Sequence, residues 1–205
     1  MIKVICAVAL ALTVAACTKE QPQPNADAAT LERVRFSDTS DPSLTLYTMV
    51  SNSTGRGAHS SLMINASERV IFDPAGSFYA PTVPERDDVL YGISPQVEKA
   101  YRGAHARETF HVVRKKISVT PEQAETAYRM ALSYGPVPDA YCANATSGIL
   151  SKVPGFSAIR TTMYPTKLMS QFGELPGVVT SDYYEDDSAD LQDGLRRSQQ
   201  ALAAE

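Results

Sequence analysis

Three residues of the types that carry out nucleophilic acyl transfer stand out in this chain: Cys142, His59 and Asp73. That chemistry needs a thiolate to attack a carbonyl, an imidazole to hold and return the proton, and a polar group to orient the imidazole. The chain has three cysteines, and Cys6 and Cys17 both fall in its apolar N-terminal segment. Cys142 is therefore left without an evident disulfide partner. It sits in PDAYCANATSGIL, Pro138 to Leu150, where Pro138 and Asp139 fit a helix start with the aspartate as cap. Apolar residues follow at Tyr141, Ala145, Ile149 and Leu150. In a first helical turn, unpaired N–H groups and the positive end of the dipole favour thiolate over thiol. Asp139 opposes this slightly. The competing reading is a small buried cysteine packed as an apolar side chain.

The histidine and the carboxylate belong to a predicted hairpin. Ser43 to Val50, SLTLYTMV, has the β-formers of a strand, and SNSTGRG, Ser51 to Gly57, is a turn cluster. His59 to Ile64 then forms a second strand, Asn65 to Glu68 a short turn, and Arg69 to Asp73 a third strand. Antiparallel strands joined this way bring His59 level with Asp73. A carboxylate there fixes the imidazole tautomer and stabilises its protonated form. Each residue also has a plainer reading: His59 as a half-exposed strand-edge residue, Asp73 as the cap of the turn Asp73-Pro74-Ala75-Gly76. Two other histidines compete. His105 lies in RGAHARE, a loop or helix end, and His111 in FHVVRKKISV, a strand with a solvated basic face.

The elements that must position these residues follow from the rest of the chain. Phe78 to Arg107 carries Pro81, Pro84 and Pro95 with Tyr79, Tyr91 and Tyr101, which makes it a long connection with at most one helix, SPQVEKAYRG. In an enzyme such an insertion shapes the substrate groove. Thr120-Pro121-Glu122-Gln123 starts a helix through Tyr134, with Ala124, Ala127, Met130 and Ala131 inward, beside the cysteine helix. The segment after Leu150 is rich in turns and apolar residues and predicts a covering subdomain or one wall of a cleft. Residues 186–205 are charged and weakly amphipathic, a peripheral helix or a disordered tail.

The N-terminus is organised for export. Met1-Ile2-Lys3 precedes an apolar run from Val4 to Ala16, too short for a membrane-spanning helix of roughly 20 residues. Val14-Ala15-Ala16-Cys17 resembles the bacterial lipobox, which implies that 1–16 is a lipoprotein signal peptide and that Cys17 is lipidated. Thr18 after that cysteine, rather than an aspartate, implies sorting to the outer membrane, facing the periplasm. Lipidation consumes the Cys17 thiol and leaves one free cysteine in an oxidising compartment. Residues 17–38, polar and proline-bearing at their start, predict a flexible tether.

With 43% hydrophobic residues, the chain has material for one core, and a net charge of −4 argues against a nucleic-acid surface. No CxxC pair, HExxH or phosphate-binding glycine loop occurs, so no metal or cofactor is implied.

GAHSSLMINASERVIFDPAG and DAYCANATSGIL together resemble the circularly permuted papain-like thiol enzymes, a group that includes the permuted NlpC-like proteins and lecithin retinol acyltransferase. In that group a histidine strand, H-x-G and three hydrophobic residues, precedes the cysteine helix, and a polar residue near the end of the next strand orients the histidine. Ser61 stands where glycine is common, and Asp73 where a histidine is often found; aspartate can do the orienting job. The resemblance covers about 57–76 and 138–155, with the strand around Glu108 to Val119 between them. It implies an α+β, papain-like (circularly permuted NlpC-like) domain over 39–185, its antiparallel sheet packed against the cysteine helix. It further implies a Cys142–His59–Asp73 triad that cleaves an amide or ester of a peptide, cell-wall or lipid substrate. An acyltransferase uses the same triad. A non-catalytic envelope lipoprotein that binds or scaffolds is the alternative from another class, and a redox-sensing thiol is a third.

Overall fold

The computed structural model describes residues 25–204. Residues 1–16 and Cys17, read from the sequence as signal peptide and lipidation site, and the first part of the expected tether lie outside these residues. The described chain is α+β, with seven strands in one antiparallel sheet and six helices.

The sheet grows outward from β1 (Ser43–Ser51), whose residues from Ser43 to Val50 are all buried. This strand is covered on both faces, and its polar residues Ser43, Thr45 and Thr48 are buried along with the apolar ones. β1 pairs with β2 (Gly57–Asn65) on one side and β6 (Phe110–Ser118) on the other. β3 (Arg69–Phe72) continues beyond β2, then β5 (Val89–Leu90) and β4 (Glu85–Arg86); β7 (Val179–Tyr183) closes the far edge beside β6. The predicted hairpin is therefore β2–β3, turned at Asn65 to Arg69.

Helices cover both faces. On one, α3 (Pro121–Leu132), α4 (Cys142–Leu150) and α5 (Pro165–Gly173) pack Ala127, Ala131, Ile149, Leu150, Leu168 and Phe172 against Leu44, Leu46, Leu62 and Ile64. On the other, α2 (Pro95–His105) and α6 (Leu191–Ala203) set Val97, Tyr101, Ala104 and Leu195 against Tyr47, Met49, Met63 and Ile71. The segment after Leu150 thus contributes α5 to the main core, and the C-terminal residues form a helix docked on α2.

Local sequence sets the helix starts. Thr120 and Gln123 form a reciprocal capping box with Pro121 at the first position of α3, and Ser94 caps α2 ahead of Pro95. The long connection 78–107 holds α2 as expected and also the short strands β4 and β5.

Part of the stretch read as tether is folded onto the domain. Asp27 caps α1 (Ala28–Val34), the Ala26 N–H donates to the Glu85 carbonyl at 2.8 Å, and Phe36 O accepts from the Arg69 N–H. Leu31 and Val34, three apart on one helix face, pack against the core. Gly92, at φ 73°, lets its strand end pass close to Val34, whose carbonyl oxygen a Cβ would meet at 3.0 Å.

Candidate active site

The cysteine is delivered by a sharp entry into α4. The helix begins at Cys142 itself, with Tyr141 in the capping place and no side-chain cap bond. Asp139, expected to cap, lies ahead of the helix. The physical reason is Ala140, at φ 69°: a residue in the left-handed region breaks the helical run between the aspartate and the cysteine. The first intrahelical bond, from the Ala145 N–H to the Tyr141 carbonyl at 2.9 Å, leaves Cys142, Ala143 and Asn144 as the three positions whose N–H groups have no helical partner.

The histidine is exposed to the cysteine because the sheet is incomplete beside it. β3 pairs with β2 only from Leu62 to Asn65, so His59 and Ser60 lie on an open strand edge. Alternation along β2 puts Ser60, Leu62 and Ile64 on the α4 face and His59, Ser61 and Met63 on the α2 face. The thiol at the start of α4 feels both His59 and Ser60, which places it beside that open edge. A bulge strengthens the arrangement: Met49 pairs with His59 but Val50 with Gly57, so Ala58 is the extra residue. Bulges of this kind bend a strand and re-aim the side chain next to them.

The carboxylate comes from just past β3. Extending the β2–β3 register by one residue puts Asp73 opposite Ser61, a diagonal neighbour of His59 on the same face. The hairpin thus brings the pair together with a two-residue offset, not level. The reach is short enough: His59 Nε2 is 2.8 Å from Asp73 Oδ1. Asp73 is buried, and its Oδ1 also lies 2.7 Å from the Tyr101 hydroxyl. That hydroxyl is 2.7 Å from Ser61 Oγ as well, so it donates to the carboxylate and accepts from the serine. The turn after Asp73 closes over the carboxylate, where a Cβ on Gly76 would come within 1.9 Å of Asp73 Oδ2. Glycine at 76 is what this closure requires.

The electrostatics favour an ion pair. Burial alone would push the His59 imidazole down, but the Asp73 charge and hydrogen bond, with a further contribution from Cys142, raise it to about 10. Burial likewise opposes ionisation of Asp73, and the His59 charge and hydrogen bond overcome it and hold the carboxyl below its usual range. For Cys142, burial pushes the thiol up. The His59 hydrogen bond and charge, then the Ser60 N–H and hydroxyl, overcome this and bring it below the ordinary value. Since Nε2 is engaged by Asp73, Nδ1 is the ring nitrogen left to serve the thiol. The group can therefore hold a thiolate beside an imidazolium.

Of the competing histidines, one is adjacent to this group. His105, on the last turn of α2, is buried and lies in a parallel stack with His59 at 6.2 Å between ring centres. Its Nδ1 bonds to the Tyr101 carbonyl at 2.8 Å, and burial lowers it to about 4, so it is neutral. His111 bonds instead to Asn52 Oδ1 at 2.6 Å and stacks on Tyr184, away from the group. Sequence reasoning missed Tyr101, Ser61 and Ser60. The i, i+4 spacing of Tyr101 and His105 within SPQVEKAYRGAH was the available signal for a polar stripe on α2.

A cavity of about 220 Å³ opens beside the imidazole, lined by His59, His105, Arg107, Ser77, Met49 and Phe110 among others. Among the described residues, no group of histidine, cysteine and carboxylate side chains is arranged to hold a metal ion. No protein-family model, curated protein or solved structure matches this chain.

Proposed function

We propose that this chain is a cysteine-dependent acyl-transfer enzyme, acting as a hydrolase of an amide or ester bond. The observation that carries the reading is the group Cys142, His59 and Asp73, in which the carboxylate 2.8 Å from His59 Nε2 raises the imidazole and the imidazole lowers the thiol. In this mechanism the Cys142 thiolate attacks the carbonyl carbon, and the N–H groups at the start of α4 stabilise the oxyanion. The His59 imidazolium gives its Nδ1 proton to the leaving group as the carbon–heteroatom bond breaks. Water, deprotonated by His59, then attacks the thioester and releases the thiolate.

The likeness to circularly permuted papain-like enzymes belongs to the same proposal. It rests on a histidine strand that precedes the cysteine helix and on an antiparallel sheet packed against that helix. So does anchoring of the chain through Cys17 to the bacterial outer membrane, which rests on the lipobox resemblance. No helix among the described residues is long and apolar enough to cross a membrane. A second reading, a non-catalytic envelope lipoprotein, draws on one observation: Cys142 is only 6% exposed.

The test is the pH dependence of Cys142 alkylation by iodoacetamide in the full-length protein, alone and with His59→Ala or Asp73→Ala. The enzyme reading expects reactivity well below pH 8.5, the ordinary thiol midpoint, and a rise of that midpoint in both variants. An unreactive thiol, or one indifferent to His59, sinks it in favour of the second reading.

A further inference from the structure

The cavity beside His59 is lined by a cation, Arg107, with no anion paired to it among the described residues. Arg107 lies two residues past the end of α2, and its guanidinium lies over the Phe110 ring, 4.9 Å from the ring centre. Arg107 Nε and Nη1 are buried, and among the described residues neither has a hydrogen-bond partner and no ion pair engages the side chain. Asp190, whose charge Arg107 feels, is engaged in capping α6 through the Gln192 N–H at 2.9 Å. Guanidinium N–H groups taken out of water are otherwise paired, because an uncompensated polar group there is costly to desolvate. An anion delivered from outside would supply the missing partner.

The position of the cavity says which part of a substrate that anion belongs to. His59 lines the cavity and Cys142 does not, so the space leads from the imidazole away from the thiol. The acyl half of a substrate is bonded to Cys142 Sγ, whereas the leaving half departs past the imidazole that protonates it. About 220 Å³ holds a group of amino-acid size, with Met49 and Phe110 against its apolar part. A single guanidinium, already in the field of Asp190, balances one negative charge. That matches a carboxylate better than a phosphate dianion.

We propose that Arg107 binds a carboxylate on the leaving-group side of the scissile bond, so that the substrates are acylated amino acids or chains cleaved at their C-terminal residue. The inference rests on the thiol-enzyme reading above. When the tetrahedral intermediate collapses, the C–N bond breaks, its electron pair stays on nitrogen, and the nitrogen takes the His59 Nδ1 proton. The amino acid leaves with its carboxylate on Arg107, and the acyl group remains on Sγ as a thioester for water to cleave.

The experiment measures protection of Cys142 against iodoacetamide in the full-length protein by N-benzoylglycine, by its neutral amide and by inorganic phosphate. Each rate is taken relative to the same variant without ligand. N-benzoylglycine is expected to slow alkylation at least tenfold at saturation, and the amide and phosphate to have little effect. Arg107→Gln is expected to raise the half-protecting concentration at least tenfold, and Arg107→Lys to restore part of it. Equal protection by acid and amide, by acid and phosphate, or in wild type and Arg107→Gln overturns the proposal, as does absence of protection by all three. The ligand comparison stands on the wild-type protein even where a variant fails to fold. Failure of the underlying reading is separate and visible without ligand, as an ordinary thiol midpoint that ignores His59→Ala.

Discussion

On one face of the sheet, Leu44, Leu46, Leu62 and Ile64 meet Ile149, Leu150, Leu168 and Phe172, and none of these groups titrates. On the other face, the same strands present Tyr47, His59 and Ser61 to α2, which answers with Glu98, Tyr101 and His105. Tyr47 donates to Glu98 Oε1 at 2.7 Å, Arg114 lies 3.3 Å from the same oxygen, and Tyr101 ties Ser61 to Asp73. The first face is held by area removed from water, about 25 cal/mol per Å², which is indifferent to pH. The second is held by partners, since a buried polar group destabilises unless it is matched. One strand, β2, supplies both through its two-residue alternation. The apolar packing and the pairing that poises His59 can therefore be perturbed separately, by choosing the face.

The largest expected effect follows from removing one partner on the polar face. Asp73→Ala removes the largest influence that raises His59, so the imidazole falls from about 10 and the thiol midpoint rises. The loss of stability is expected to be about 3–5 kcal/mol, read by urea unfolding near neutral pH. Leu46→Ala, at a fully buried position on the apolar face, is expected to lose about 2–5 kcal/mol with no change in the thiol pH profile. A thiol midpoint displaced as far by Leu46→Ala as by Asp73→Ala would break the separation of the two faces.

The pH dependence of stability sharpens the contrast, because the His59–Asp73 pair lies on the polar face. His59 is raised to about 10, so its contribution is complete below 6.5 and is lost as pH climbs through 10. Asp73 is lowered, so its contribution is present above 3.8 and is lost as pH falls through the folded value. His105 works against the fold in acid. It is neutral down to about 4 when folded but takes a proton near 6.5 when unfolded, which drains about 3 kcal/mol as pH falls across that interval. Urea midpoints at pH 4.5, 7 and 10.5 should peak at the middle value. His105→Gln should flatten the acid limb and leave the alkaline limb in place; an unchanged acid limb would remove His105 from the account.

How legible this was in the sequence differs between the faces in the same way. The central strand, the hairpin and the capped helix at Thr120 follow from periodicity and turn chemistry, and they stand within a residue or two of where patterning puts them. The proximity of His59 and Asp73 followed from hairpin geometry, although the two-residue offset did not, because a bulge at Ala58 leaves no mark in composition. Tyr101 and Ser61 were hidden for a different reason. Their pairing spans 40 residues and depends on α2 crossing the sheet at one height, which no local pattern encodes. The start of α4 was misplaced because Asp139 has the chemistry of a cap, and the left-handed turn at Ala140 overrides it. Residues 25–38 were read as tether because a seven-residue helix is too short to show its period against polar surroundings.

The smallest expected effect is the most discriminating one, Tyr101→Phe. The ring keeps its tilted contacts with Tyr47 at 5.6 Å, Phe78 at 5.2 Å and His105 at 4.5 Å, so the apolar packing of α2 survives. What is lost is one donor to Asp73 and one acceptor for the Ser61 hydroxyl, and the expected cost is about 1 kcal/mol. The Asp73 carboxyl then titrates somewhat higher, because a hydrogen bond that favoured its charged form is gone. His59 keeps its own bond to Asp73, so the thiol midpoint should rise by much less than in Asp73→Ala. Adding Tyr101→Phe to Asp73→Ala should change stability by a different amount than Tyr101→Phe alone, since the two side chains act through one oxygen. If Tyr101→Phe moves the thiol as far as Asp73→Ala does, then the hydroxyl, and not the pairing with His59, fixes the carboxylate, and the polar face works as one unit in which no single pair can be assigned the role.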